Sequence, residues 1–310
     1  MPQSSNTIRL GTRGSPLALA QARLVAGRLA TAHGFDPARI AIEPIRTTGD
    51  RVQDRPLSEL GGKGLFTKEI EEALLARHID FAVHSAKDMA TALPPGLTIA
   101  AYLPREDVRD VFVSHVAGGL HALPPGSLVG TGSLRRQALV KHLRPDLKVI
   151  ALRGNVETRL RKLSEGGADA TVLALAGLKR LGMESAATSI LEASEFLPAV
   201  GQGAIAIEAR EDDAATLALL AAIDDRDTSV AVTAERAMLA VLDGSCRTPI
   251  AGHAIVTAGH IRIRGLVIKP DGTQLFEAAR EGAVIAAAAL GADLGRELKD
   301  RAGPNFFGSV

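Results

Sequence analysis

Short β-like runs alternate with helical patterns along most of this chain. That alternation constrains the fold more than any other feature, because it is the signature of βαβ units and a mostly parallel sheet. Residues 8–11 read as a first strand, after which Ser15-Pro16 supplies an N-cap and a proline at the first helical position, opening a helix through Leu24 and Leu29. Phe66, Ile70, Ala73 and Leu74 recur at helical spacing, and Ile79, Phe81 and Val83 then alternate at strand spacing, so a helix feeds a strand that ends near His84-Ser85. A second α/β set follows the charged segment 105–110, expected to be exposed, with strands at 111–114, 128–130, 149–152 and 171–175. Its opening Gly130-Thr131-Gly132-Ser133-Leu134 echoes Gly11-Thr12-Arg13-Gly14-Ser15, each being a strand, a glycine turn, a serine and a helix, which suggests two related halves.

Proline and glycine interrupt the helical pattern at 197–203, and a short strand at 204–208 follows, as a return crossover to the first domain does. Past Asp227 a helix runs through Met238 and Leu242. Residues 261–268 and 274–278 flank Lys269-Pro270-Asp271-Gly272-Thr273, which has hairpin-turn chemistry, and an Ala-rich helix is expected at about 283–298. The division that follows is a first α/β domain at 1–103 with 204–222, a second at 104–203, and a C-terminal α+β domain at 223–310 that carries Cys246. A chain of 310 residues exceeds what one compact core usually organises, in keeping with several domains.

A formal net charge of +1 gives no bulk attraction to nucleic acid or to an anionic membrane, and with no Trp and one Tyr the chain lacks stacking platforms for single strands. Cys246 is the only cysteine, which excludes an internal disulfide and suits a reducing compartment. The start lacks the basic and apolar regions of a secretory signal, and no apolar run reaches membrane length, so a cytoplasmic location is expected. The histidines form none of the usual metal-site spacings, and no metal is expected.

Open parallel sheets bind ligands beyond the carboxyl ends of their strands. Those positions are rich in charge here: Arg13 and Ser15 after the first strand, Ser85, Lys87 and Asp88 after the strand ending near 84, and Ser133, Arg135, Arg136 and Arg153 in the second set. Helix N-termini at Ser15 and Ser133, with arginines beside them, suit an acidic ligand, since the planar guanidinium pairs with a carboxylate through two parallel hydrogen bonds. For any single arginine, solvation or pairing with Glu or Asp is the alternative; clustering in both halves favours the ligand. Gly61-Gly62-Lys63-Gly64 either cradles an anion or is a mobile turn, and its spacing is not that of a nucleotide-binding loop. Asp88, beside Lys87, is either a carboxylate that faces a cation or half of a surface ion pair. Cys246, in a Gly/Pro-bounded loop beside Arg247, is either a reactive thiol or a small buried apolar residue.

Taken together, Thr12-Arg13-Gly14-Ser15-Pro16-Leu17-Ala18-Leu19, Val83-His84-Ser85-Ala86-Lys87-Asp88, Ser133-Leu134-Arg135-Arg136-Gln137, Leu152-Arg153-Gly154-Asn155-Val156-Glu157-Thr158-Arg159-Leu160, the segments 61–66, 176–181 and 198–203, and Gly244-Ser245-Cys246 resemble the porphobilinogen deaminase (hydroxymethylbilane synthase) family. The resemblance runs through all three domains. It implies an α/β fold of two domains like type II periplasmic binding proteins plus a smaller C-terminal α+β domain. It also implies a monomeric transferase of tetrapyrrole (haem or chlorophyll) biosynthesis that condenses four porphobilinogen molecules head to tail, releases ammonia from each, and hydrolyses the product off as hydroxymethylbilane.

The resemblance further implies one dipyrromethane cofactor per chain, joined by a thioether to Cys246. Lys87, Asp88, Ser133, Arg135 and Arg136 are its implied contacts. Arg13, Ser15, Lys63, Phe66, Arg153, Arg159, Arg180 and Gln202 are implied for substrate, and Asp88 is the implied catalytic group. Three departures stand out: Glu59 in place of a frequent basic residue, Gly132 in place of a common Ser, and Met89-Ala90 after the aspartate in place of Val-Pro. Rival readings are a noncatalytic solute-binding protein of the same architecture and a phosphate-handling transferase using 61–64, because fold alone does not fix function.

Overall fold

The computed structural model describes residues 7–51, 65–243, 248–304 and 306. In chain order the elements are β1 (Ile8–Arg13), α1 (Pro16–His33), β2 (Ile40–Ile45), α2 (Thr48–Arg51), α3 (Lys68–Leu75), β3 (Phe81–Ser85) and β4 (Leu97–Tyr102). Next come β5 (Asp110–Ser114), β6 (Leu128–Gly130), α4 (Leu134–Leu143), β7 (Lys148–Ile150), α5 (Val156–Ser164), β8 (Ala170–Ala174), α6 (Leu175–Leu181) and β9 (Ser189–Leu191). The chain continues through β10 (Ile205–Arg210), α7 (Ala214–Ala221), α8 (Arg226–Val241), β11 (Ile250–Thr257), β12 (His260–Ile268), β13 (Leu275–Ala283) and α9 (Ala287–Ala302). Two compact units result among the described residues, one within 7–51, 65–105 and 204–229, the other within 106–203 and 230–306.

The first unit is built on a sheet of order β2-β1-β3-β10-β4. β2, β1 and β3 are mutually parallel, whereas β10 runs antiparallel between β3 and β4, with Ile205 opposite Ser85. The carboxyl ends of β1 and β3 therefore share an edge with the amino end of β10. Helix α1 forms where the sequence signals it: the Ser15 hydroxyl accepts from the Ala18 N–H at 3.3 Å, Pro16 opens the first turn, and Gly34 ends the helix at φ +66°. Its Ala22, Val25, Ala26 and Leu29 recur every three or four residues and bury against Leu10, Phe81 and Ile207. Full burial of a side chain such as Leu29 or Phe81 contributes about 1.5–3 kcal/mol relative to exposure, which anchors α1 over the sheet.

In the second unit the sheet order is β7-β6-β8-β5-β9, again three parallel strands, then an antiparallel one, then an edge strand parallel to the first three. The two sheets thus share one topology, as the echoed glycine turns suggested. Asp110, the first residue of β5, lies at the same edge as the carboxyl ends of β6 and β8. The segment 105–110, expected to be exposed, is not: Asp110 is 0% exposed and its neighbours Arg105–Arg109 are half-buried. Charges there are paired within the chain, Arg109 with Asp107 and Glu192, and Glu106 with Lys179.

The same unit carries the antiparallel sheet β11-β12-β13. Ala251, Leu266 and Ile268 of this sheet share a core with Phe112, Val129, Leu139 and Phe196. The β12–β13 connection is the hairpin read from Pro270-Asp271-Gly272: Gly272 sits at φ +77°, and its carbonyl meets His142 Nδ1 of α4 at 2.9 Å. Strand β13 runs on to Ala283, opposite His260, so the last helix begins later than the alanine content suggested. Nine ladder positions outweigh the helix propensity of a few alanines. Helices α8 and α9 touch backbone to backbone at Gly291 and Gly295, where a Cβ would meet the Ala234 and Met238 carbonyl oxygens.

Candidate active site

In the first unit, Arg13, Ser15, Gln21, Phe66, Ser85 and Asp88 are among the residues lining one cavity at the carboxyl ends of β1 and β3. Five of these, Arg13, Ser15, Phe66, Ser85 and Asp88, are among the residues that the sequence singles out. The Thr12 hydroxyl donates to the Val83 carbonyl at 3.2 Å and ties the two strand ends together. Asp88 sits on a single 3-10 turn, Ala86–Asp88, held by the Ala86 N–H to the Ala204 carbonyl at 3.0 Å. The buried Gln21 on α1 donates from Nε2 to Ser85 Oγ at 2.9 Å and fixes the start of that turn. Asp88 is half-buried, and its carboxylate makes no hydrogen bond or ion pair among the described residues. A carboxylate so placed has its lone pairs available to a ligand. The Arg13 guanidinium stacks 4.2 Å from the Phe66 ring centre, a cation–π contact that fixes its plane at the cavity wall. Lys87 is half-buried in the same turn.

Behind this turn lies a buried acidic group that the sequence reading did not pick out. His84 Nε2 lies 3.1 Å from Glu208 Oε2, both nearly inaccessible. Burial, with the charge of Glu208 nearby, pushes the Glu71 carboxyl above the ordinary range. Adjacent strands β3 and β10 brought His84 and Glu208 together, helix α3 added Glu71, and no spacing within the sequence relates them.

In the second unit Ser133 caps α4, its hydroxyl accepting from the Arg136 N–H at 3.4 Å. Arg135 and Arg136 occupy the first turn, where two cations oppose the helix macrodipole and need an anion. Asp110 supplies it: Oδ2 accepts from Arg135 Nη2 and Oδ1 from Arg136 Nη2, both at 2.7 Å, with the two guanidiniums only 4% and 6% exposed. Gln202 Nε2 adds a third donor to the carboxylate at 2.9 Å. Burial pushes the Asp110 carboxyl up, yet the two guanidiniums outweigh it and hold the group well below the usual carboxylate range. The Arg180 guanidinium donates to the Gly203 carbonyl at 2.6 Å; burial lowers it to about 10, against the pull of Glu106.

Arg153 lies in the β7–α5 connection and Arg159 in the first turns of α5, where its Nε donates back to the Gly154 carbonyl at 2.9 Å. Gly154 is at φ +120°, and a Cβ there would strike Thr158. At Gly132 a Cβ would lie 3.5 Å from the Leu152 carbonyl oxygen, an ordinary contact, so the backbone leaves room for a serine. Lys63, Cys246, the glycine run 61–64 and Glu59 lie outside the described residues.

Family models describe two matches along the chain: "Porphobilinogen deaminase, dipyromethane cofactor binding domain" at residues 8–218 and "Porphobilinogen deaminase, C-terminal domain" at 229–300. The chain belongs to the porphobilinogen deaminase family. Relatives named porphobilinogen deaminase include one from Nitrobacter winogradskyi, 66% identical over 96% of this chain and 94% of its own, and one from Paracoccus denitrificans, 57% identical over 99% and 98%. Among solved structures, that of the methionine binding protein MetQ is similar at 15% identity, with a TM-score of 0.44 over 73% of this chain and 93% of that one. As a porphobilinogen deaminase the chain is a transferase of tetrapyrrole biosynthesis with a dipyrromethane cofactor.

The residues present fit such a group. Asp110, Arg135 and Arg136 sum to one buried positive charge, and the Nε atoms of both arginines are buried without a hydrogen-bond partner among the described residues. A net cationic, underbonded cluster favours an acidic ligand. Among the described residues, no helix is long and apolar enough to cross a membrane.

Proposed function

We propose that this enzyme joins four porphobilinogen molecules head to tail with loss of ammonia from each and releases the product by hydrolysis, water supplying the hydroxyl of hydroxymethylbilane, with Asp88 as the catalytic carboxylate. The observation that carries the assignment is the half-buried Asp88 carboxylate, without an internal partner among the described residues, in a cavity that also presents Arg13 and Ser15. Departure of ammonia takes the C–N electron pair with it and leaves positive charge on the aminomethyl carbon and its ring. A fixed anion stabilises that charge and accepts a pyrrole N–H hydrogen bond. Lys87, Ser133, Arg135 and Arg136 hold the carboxylates of the dipyrromethane group, which is linked to Cys246. When bound, that group supplies a nucleophilic pyrrole carbon.

Arg13, Ser15, Lys63, Phe66, Arg153, Arg159, Arg180 and Gln202 take the acetate and propionate groups of substrate or wall the pocket. The protein works as a cytoplasmic monomer without nucleic acid, in three domains at 1–103 with 204–222, 104–203 and 223–310. Intact-protein mass spectrometry of the purified chain tests the tether: a mass increase equal to one dipyrromethane is expected, and Cys246→Ala loses both the increase and bilane formation. Bilane formation at full rate by Cys246→Ala would refute it.

A further inference from the structure

Arg135 and Arg136 are an awkward pair to bury. They are adjacent in sequence, of like charge, and set in the first turn of a ten-residue helix whose free N–H groups add further positive potential. Nothing on α4 compensates them, since its first turn contains no acidic residue. The compensation comes from Asp110, on a different element and some twenty-five positions earlier in the chain.

Asp110 is held rigidly. Strand β5 pairs on both sides, Asp110 standing opposite Ala174 of β8 and Leu191 of β9, so its backbone is fixed within the sheet. Its side chain divides its oxygens, Oδ2 to Arg135 and Oδ1 to Arg136, while Gln202 Nε2 reaches Oδ1 and also donates to the Val108 carbonyl at 2.7 Å. Arg135 is fixed at its other end by donating from Nη1 to the Leu197 carbonyl at 2.7 Å.

The clamp continues into the neighbouring sheet. The fully buried Glu235 of α8 accepts from the Gly201 N–H through Oε2 and from the Ala254 N–H through Oε1, both at 2.7 Å. Gln202 is thereby positioned from the backbone beside it. Apart from the partly buried contact to Val108, every link is a buried hydrogen bond between groups on regular elements or on the 197–203 connection, a geometry that leaves the guanidiniums little freedom to reorient.

We infer that Asp110 is the positioning residue of the guanidinium pair, an internal carboxylate that locks Arg135 and Arg136 in place and leaves the cluster one positive charge for a single carboxylate of the acidic cofactor. The inference rests on the proposed role of Arg135 and Arg136 as cofactor contacts. Without Asp110 the site would carry two buried, mutually repelling charges and no fixed geometry. With it, the acidic ligand meets cations that are already oriented, so less ordering remains at the moment of binding.

The test compares the full chain with Asp110→Asn, Asp110→Glu and Arg135→Leu. It measures the fraction of chains carrying the cofactor by intact mass, KM and kcat for porphobilinogen, and the urea midpoint. Asp110→Asn is expected to lower the loaded fraction about tenfold or more, and Asp110→Glu, which keeps the charge but moves it by one methylene, to raise KM several-fold in the loaded chains while kcat changes little. A merely structural role lowers the urea midpoint and leaves loading and KM alone, and that result overturns the inference. Normal loading by Arg135→Leu overturns instead the reading on which it rests. If Asp110→Asn does not fold, Asp110→Glu decides: loading and KM equal to those of the unchanged chain reject the positioning role.

Discussion

Replacing Asp88 by asparagine separates catalysis from stability in a way that the structure makes quantitative. The side chain keeps its shape and loses its charge. Because the carboxylate has no hydrogen-bond or ion-pair partner among the described residues, no internal interaction is lost there, and the stability change is expected to stay within about 0.5 kcal/mol. The effect on rate is different in kind. A carboxylate about 4 Å from a developing unit positive charge, at an effective dielectric of about 20, contributes about 4 kcal/mol. With roughly 1.4 kcal/mol per factor of ten, turnover should fall about a thousandfold. The assay is ammonia release from porphobilinogen under saturating substrate, alongside urea unfolding of the same preparations. Turnover within about tenfold of the unchanged chain would mean that Asp88 faces no cation in the transition state. A large loss of stability would mean that the carboxylate is held inside the fold.

Two further outcomes follow from the packing. The Asp110 carboxyl is depressed in the folded chain relative to about 3.9 when unfolded, so its contribution to stability is complete above the unfolded value and is lost as pH falls through the folded one. Urea midpoints should therefore drop more between pH 5 and about 3 in the unchanged chain than in Asp110→Asn; equal drops contradict the assignment. Gly291→Ala places a methyl on the Ala234 carbonyl oxygen and forces α9 away from α8, at a cost of about 1–3 kcal/mol. An unchanged urea midpoint would show that the two helices do not meet there.

Local signals account for much of what could be read along the chain. Ser15-Pro16 and Ser133 announced two helix starts because capping is decided by a few adjacent atoms, and both caps are present. Pro270-Asp271-Gly272 announced its turn for the same reason, Gly272 adopting the positive φ that such turns favour. The repeated glycine turn pointed to paired halves, and both sheets carry the same strand order. Strands β2, β4, β9 and β11 went unnoticed; β4 and β9 acquire strand structure from ladders to β10 and β5, far away along the chain.

The sequence by itself determined which chemical groups the protein possesses: arginines and helix N-termini at strand ends, the Lys87-Asp88 pair after a strand, and one cysteine. Only the tertiary structure decided which of them answer one another. Asp110 read as an exposed charge because its partners lie 25, 26 and 92 residues away, and burial under three donors made it the centre of the cationic cluster. His84 met Glu208 across two paired strands, and Asp88 was left without an internal partner among the described residues. Capping and turn formation depend on neighbours in the chain. Charge compensation in a dry interior depends on neighbours in space, and those exist only once the sheets have assembled.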